Sequence, residues 1–491
     1  MCLCGWGRTL PATRRGRRQE GARCALLLLS CINLLNFADR YVPSSVKGLV
    51  KAELQLTDLQ TALPTTGMVL VYMFSAPAFG VLADRQIVDR RTILACAVAF
   101  WSAATALAGA ARSLPELVVF RSLLGVGEAA YTTLSPALIA DFFPLRDRNL
   151  ALMVFYVCAP LGGALGFVAG SLLGEACGWR AAFLACGLPG LALACLLPAL
   201  NDPARGVNDP VADAGPEAEE AGERRAGLCR EFWDIISNPH WFCAAVGATA
   251  ASFAIGGLAE WFQELTRRTY PDASAGQIGL ALGMATMLGG ICGTFLGGHA
   301  AEQFAPRWRS AHFLVPALFM LPSAAFCFLG VNVKAGPSIT IFAFVLPMFV
   351  CFFTHSGPIY TAMVNCTPVH LRSRAMGLSI FSAHVLGDVI SPPIVGAVSD
   401  ATGSLRTAMQ ILWIAVLISA LSWGLGYLLL SPLPQSADDK GKDRPRAATL
   451  GSLLCGREEA EEDAEEGPGR GEGDGLLSGR RKSGYAAVKG T

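Results

Sequence analysis

The chain has 491 residues, 53% of them hydrophobic and only 16% charged. A soluble domain carries roughly 45–50% apolar and about 25% charged residues, which argues against one or two soluble globular domains. The 39 Lys and Arg nearly cancel the 38 Asp and Glu, so net charge points to no nucleic-acid partner, and the 16 Cys lack the paired spacing of a zinc site or disulfide framework.

Crossing about 30 Å of hydrocarbon takes about 20 mostly apolar residues, and twelve segments meet that length. In the first half they run over 24–44, 59–83, 92–111, 115–139, 149–173 and 180–199. In the second they run over 241–264, 277–301, 311–331, 337–361, 375–398 and 408–430. Residues 1–23 form a basic tail, 200–238 a polar linker and 431–491 a Gly-rich charged tail too poor in apolar residues to fold. Arg14-Arg15-Gly16-Arg17-Arg18 before the first apolar run also fits the grammar of a signal peptide. The length of that run, its Asp39-Arg40 and the eleven spans that follow favour a retained helix. With both tails inside, 29 of the 39 Lys and Arg fall on the cytoplasmic side and 8 on the other, the bias that sets orientation.

Two halves of six spans echo each other. Leu145-Arg146-Asp147-Arg148 follows the fourth span and Leu371-Arg372-Ser373-Arg374 the tenth; Gly80-xxx-Asp84 ends the second and Gly298-xxx-Glu302 the eighth. The expected fold is an all-α membrane protein of twelve transmembrane helices in two six-helix bundles, with a site at the midplane between them.

Ionisable residues inside a bilayer cost about 2.5–3.5 kcal/mol each on insertion scales, so each is paired or functional. The first span holds Asp39 and Arg40, and the fourth holds Arg121 and Glu128, on one face about 10 Å apart. The four are candidates for proton coupling and for holding a substrate head group, with a fixed structural ion pair as the alternative. In the second half, His384 and Asp388 form an i, i+4 pair in the eleventh span. His355 in the tenth either faces the same cavity or fills the core. Gly80, Asp84, Arg85, Arg90 and Glu302 are candidates for an inner gate that locks helix ends together. Gly162, Gly166 and Gly170 suit close helix packing. Glu260, Trp261 and Glu264 read as interfacial residues or as part of an external gate. No nucleophile elbow, HExxH or Walker loop is present, so no enzyme, metal or cofactor is expected. A lipid receptor or scaffold without turnover is the competing class.

Several stretches are familiar. Gly80-xxx-Asp84-Arg85 and Arg121-xxx-Gly125-x-Gly127 resemble recurring motifs of the major facilitator superfamily. Within it, Asn33-Leu34-Leu35-Asn36-Phe37-Ala38-Asp39-Arg40-Tyr41, Arg121 to Tyr131, and Ser382 to Asp388 with Ser391-Pro392 resemble the Spinster family. The resemblance implies the major facilitator fold and transport of lysophospholipids or sphingoid lipids such as sphingosine-1-phosphate, linked to protons or driven by the lipid gradient. It carries the family's first-helix Asp-Arg pair onto Asp39 and Arg40, and its fourth-helix Arg and Glu onto Arg121 and Glu128. A small organic anion or sugar remains the alternative cargo. The expected partners are that cargo, protons, membrane lipids and sorting adaptors. Glu472-Gly473-Asp474-Gly475-Leu476-Leu477 matches an acidic dileucine signal and Tyr485-Ala486-Ala487-Val488 a tyrosine-based one. They point first to the endolysosomal membrane and second to the plasma membrane.

Overall fold

A computed structural model describes residues 14–84, 88–200, 203, 228–305, 310–368 and 371–430. The expected linker lies mostly outside them, and the tail 431–491 with Leu476, Leu477 and Tyr485 lies wholly outside.

Among the described residues, twelve helices are long and apolar enough to span a membrane. The first half comprises α1 (Arg14–Leu54), α2 (Asp58–Asp84), α3 (Arg90–Ala108), α4 (Leu114–Phe142), α5 (Leu145–Cys177) and α6 (Trp179–Ala194). The second comprises α7 (Pro239–Thr269), α8 (Ala275–Phe304), α9 (Ala311–Asn332), α10 (Pro337–Asn365), α11 (Arg374–Thr402) and α12 (Leu405–Leu429). A short helix, Leu228–Ile236, precedes α7. Two helices widen to π geometry, α10 at Thr340–Val345 and α11 at His384–Asp388.

Within the first half α1 packs on α5, α2 on α4, and α3 on α4 and α6. In the second, α7 and α9 pack on α12, and α8 on α10. Three seams join the halves: α1 with α7, α2 with α11, and α5 with α8. Ala62 and Phe167 of the first half share one apolar core with Trp261, Leu282 and Val395 of the second.

The first helix departs from its expected length. It continues past residue 44 to Leu54 with Pro43 inside it, so only Gln55–Thr57 separate α1 from α2. A proline removes the hydrogen bond to the carbonyl four residues earlier, here that of Asp39. The Arg121 guanidinium approaches this carbonyl through Nη2 at 3.5 Å. A polar group freed inside a span thereby meets a donor from a neighbouring helix.

The α1–α5 seam depends on glycine. A Cβ on Gly162 would lie 2.4 Å from the Leu34 carbonyl oxygen, and one on Gly166 2.3 Å from that of Ala38. Both obstacles are backbone, which no rotamer change can relieve. Gly166→Val is therefore expected to cost about 3 kcal/mol, the upper end for overpacking, read as a lower melting temperature of the purified protein. Gly298→Ala is its control, because a Cβ there meets nothing within 4 Å.

Candidate functional site

Mid-span, α1 and α4 exchange two ion pairs. The Arg121 Nη1 donates to Asp39 Oδ1 at 2.9 Å, and Thr105 donates to Oδ2 of the same carboxylate. Arg121 and Glu128 are completely buried. Arg40 binds Glu128 Oε2 through Nε at 2.9 Å and Nη2 at 2.8 Å. Adjacent residues of α1 thus use different partners two turns apart on α4. The long Arg40 side chain makes this possible, because it spans the rise that a short carboxylate cannot.

The two pairs differ in access. Asp39 and Arg121 are sealed, whereas 26% of the Arg40 side chain stays exposed. Its guanidinium lies 5.3 Å from the Phe37 ring and 5.1 Å from the Tyr72 ring, at cation–π distance. The Tyr72 hydroxyl is held 3.0 Å from Thr132 Oγ1. Across the gap between the halves, the His384 ring meets the Tyr72 ring edge-on at 6.4 Å.

His384 Nδ1 lies 2.9 Å from Asp388 Oδ2, and both side chains are partly exposed. They sit in the π-helical segment of α11, a geometry frequent at functional sites. Gly256 of α7 makes room for Asp388, since a Cβ there would come within 2.8 Å of the Asp388 side chain. Among the described residues, no Lys or Arg lies within ion-pair distance of Asp388. Arg40, Tyr72, His384 and Asp388 therefore line one accessible chamber. His355 lies apart from it, stacked on Trp423 at 5.2 Å, with Nδ1 2.6 Å from the Phe352 carbonyl oxygen.

Of the candidates for an inner gate, Arg90 and Glu302 lie among the residues whose side chains are described. Arg90 is buried against Asp141 of α4 and donates to the Pro203 carbonyl at 2.8 Å. Glu302 is exposed on α8. Arg85, the surroundings of Gly80 and the side chain of Asp84 fall outside what is described.

The end carrying the α1–α2 turn, which falls largely between the expected spans 24–44 and 59–83, holds a dense network. Lys47 is buried in an ion pair with Glu260 of α7, its Nζ 3.8 Å from the Trp261 ring centroid. Ser44 donates to Glu260 Oε2 at 2.8 Å, and Thr65 reaches the same oxygen at 3.3 Å. One layer further out, Asp58 pairs with Lys51 and takes two bonds from Arg268, at 2.8 and 2.6 Å, and one from Ser399 at 2.7 Å. Asp400 of α11 accepts from the backbone N–H groups of Asp58 and Leu59, both at 2.9 Å. The second half thus supplies the anion that a helix N-terminus favours. Gln263 adds bonds to Ser171 Oγ at 2.7 Å and to the Ser45 carbonyl at 3.2 Å.

Among the described residues, the hydrogen bonds that join the halves lie between mid-span, where Thr66 donates to the Val389 carbonyl at 3.2 Å, and this end. The structure is a state closed at the α1–α2 end.

Comparison with known proteins fits this architecture. The family model for the Major Facilitator Superfamily matches residues 29–387. Protein spinster homolog 1 of Bos taurus is 30% identical over 391 residues, covering 76% of this chain and 72% of that one. The sphingosine-1-phosphate transporter SPNS2 of Mus musculus is 29% identical over 399 residues, covering 76% and 69%. Among solved structures, a bacterial homolog of the human lysosomal transporter Spinster, inward-facing and unoccupied, superposes with a TM-score of 0.73. Its sequence identity is 21%, and the match covers 84% of this chain and 98% of that one.

Proposed function

The chain belongs to the Major Facilitator Superfamily and, within it, to the Spinster family of multi-pass membrane transporters, and from that premise we propose that it carries a phosphate-bearing single-chain lipid by alternating access. The cargo class is a lysophospholipid or a sphingoid lipid such as sphingosine-1-phosphate. The observation that carries this reading is the mid-span chamber. Of the four charges paired mid-span on α1 and α4, only Arg40 has an accessible side chain, and the Tyr72 ring links it to His384 across the gap. Arg40 presents an always-charged, planar donor suited to phosphate oxygens. The alkyl chain extends between helices, where lipid is as apolar as the cargo. The SPNS2 relative, described as a sphingosine-1-phosphate transporter, supports the same class.

Proton coupling is part of the proposal. Glu128 and Asp39 are carboxylates confined to a low-dielectric layer beside arginines, and such intramembrane groups commonly mark proton relays. Protonation of Glu128 releases Arg40 to the cargo, and the arrival of Glu128 as an anion displaces it. With the Lys and Arg bias placing both tails in the cytoplasm, the closed α1–α2 end is the outer or lumenal one. The tail motifs at Leu476-Leu477 and Tyr485, read by sorting adaptors, direct the protein to the endolysosomal membrane. Replacing all three residues with Ala then moves a tagged protein to the cell surface.

Purified protein in liposomes tests the function directly. Sphingosine-1-phosphate, lysophosphatidylcholine, lysophosphatidylethanolamine, a sugar and an organic acid are offered with and without a pH gradient. Saturable transport of a phosphate-bearing lipid, accelerated by the gradient, is the expected result. Transport of the sugar or acid alone rejects the lipid reading. Lipid binding without any transport identifies a receptor instead.

A further inference from the structure

The first half builds an anion site that the second half fills with its own carboxylate. Lys47 and Ser44 on α1 and Thr65 on α2 all converge on Glu260. All three belong to one half, and Glu260 belongs to the other. When the halves part at this end, Glu260 leaves with α7, while the ammonium and two hydroxyls stay behind on a common scaffold. Trp261, which holds the ammonium against its ring, also leaves with α7. A cation and two hydroxyl donors stripped of their carboxylate form a cradle for an anion with several oxygens.

The position of this cradle is equally specific. Arg40, Ser44, Lys47 and Lys51 follow one another at i, i+4, i+7 and i+11, which places them on one face of α1. The rise from Arg40 to Lys47 is about 10 Å and from Lys47 to Lys51 about 6 Å. The stripe starts in the mid-span chamber and ends at the α1–α2 turn. Each cation on it is matched by a carboxylate: Glu128 for Arg40, Glu260 for Lys47 and Asp58 for Lys51.

We propose that Lys47, Ser44 and Thr65 form a second head-group station on the transport path, in which Glu260 is a tethered stand-in for the anionic phosphate of the cargo. In the state closed at this end, Glu260 occupies the station. In the state open at this end, the phosphate replaces it, having advanced one step along the α1 stripe from Arg40. The proposal rests on the phosphate-bearing lipid reading above and adds a site to it. It assigns Lys47 a role in moving the head group beyond that of holding the halves together.

Paired substitution separates the two roles. Lys47→Met with Glu260→Met removes both ions at once, leaving no uncompensated charge and an apolar contact across the seam. If the pair only latches the halves, this double variant transports as well as wild type. If Lys47 receives the phosphate, turnover of sphingosine-1-phosphate and lysophosphatidylcholine in proteoliposomes falls at least tenfold. Their binding to the detergent-solubilised protein, whose chamber is intact, stays within threefold. Lys47→Arg, which keeps the cation, retains at least a third of wild-type turnover, and Ser44→Ala with Thr65→Val loses three- to tenfold. Should the methionine pair not fold, Lys47→Gln with Glu260→Gln supplies the same comparison. Turnover within twofold of wild type in the folded double variant overturns the proposal. Failure of the wild-type protein to move either lipid overturns instead the reading on which it rests.

Discussion

Arg121→Ala leaves the Asp39 carboxylate buried without its cation and destabilises the protein by about 3–5 kcal/mol, the cost of breaking a buried ion pair on one side. That is a large fraction of the 5–15 kcal/mol that holds a typical protein folded. The variant is expected to express poorly and to melt well below wild type. The Asp39 carbonyl sharpens the effect, because it loses the guanidinium at the Pro43 break, while Thr105, which still donates to the carboxylate, offsets part of it. A compensated variant, Arg121→Met with Asp39→Leu, recovers much of the stability by removing both charges and remains inactive in coupled transport. A melting curve for Arg121→Ala that overlays wild type would show that this pair holds nothing together.

Glu128→Gln has the largest expected effect on transport. The side chain keeps its size and one acceptor for Arg40 but carries no titratable proton. Uptake driven by a pH gradient is expected to fall at least 30-fold, about 2 kcal/mol at 1.36 kcal/mol per factor of ten. Lipid binding stays measurable, since Arg40 still points into the chamber. Exchange of labelled for unlabelled lipid without a gradient is the companion measurement, and it is expected to survive better than uphill uptake. If the dependence of transport on pH is unchanged in this variant, Glu128 is a structural partner of Arg40 and the coupling lies elsewhere.

The spans and their division into halves were legible because the bilayer demands long apolar runs whatever the tertiary contacts. Asp39, Arg40, Arg121 and Glu128 were legible for the related reason that a charge inside such a run is conspicuous. Their pairing was not. Sequence spacing puts Arg121 and Glu128 on one face of α4, but it does not say that adjacent Asp39 and Arg40 divide between them by side-chain length. Lys47, Lys51 and Asp58 were passed over because Pro43 and the polar residues after it read as the end of a helix. The donor that makes Pro43 tolerable, Arg121, is 78 residues away in the chain. Glu260 beside Trp261 reads either as an interfacial pair or as part of an external gate, since nothing local reveals that a lysine from the other half neutralises it. The spacing of Arg40, Ser44, Lys47 and Lys51 was the one local signal. Extending the helical period through the proline would have put all four on one stripe. His355 shows the opposite failure, for a histidine in an apolar span gives no local sign of whether it faces a cavity or, as here, an indole.

The matching of each cation on the α1 stripe to a carboxylate has an electrical consequence. A charge moved across the full membrane field gains or loses about 2.3 kcal/mol per 100 mV. Arg40, Lys47, Arg121 and their partners Glu128, Glu260 and Asp39 sum to zero, so their rearrangement displaces little net charge through that field. Among the described residues of the chamber, Asp388 is the carboxylate without a Lys or Arg beside it, and a proton on His384 would neutralise even that. The protein itself is then nearly blind to voltage. Any potential dependence seen in electrophysiological recordings belongs to the cargo and to whatever ions travel with it, and its steepness counts their net charge per cycle.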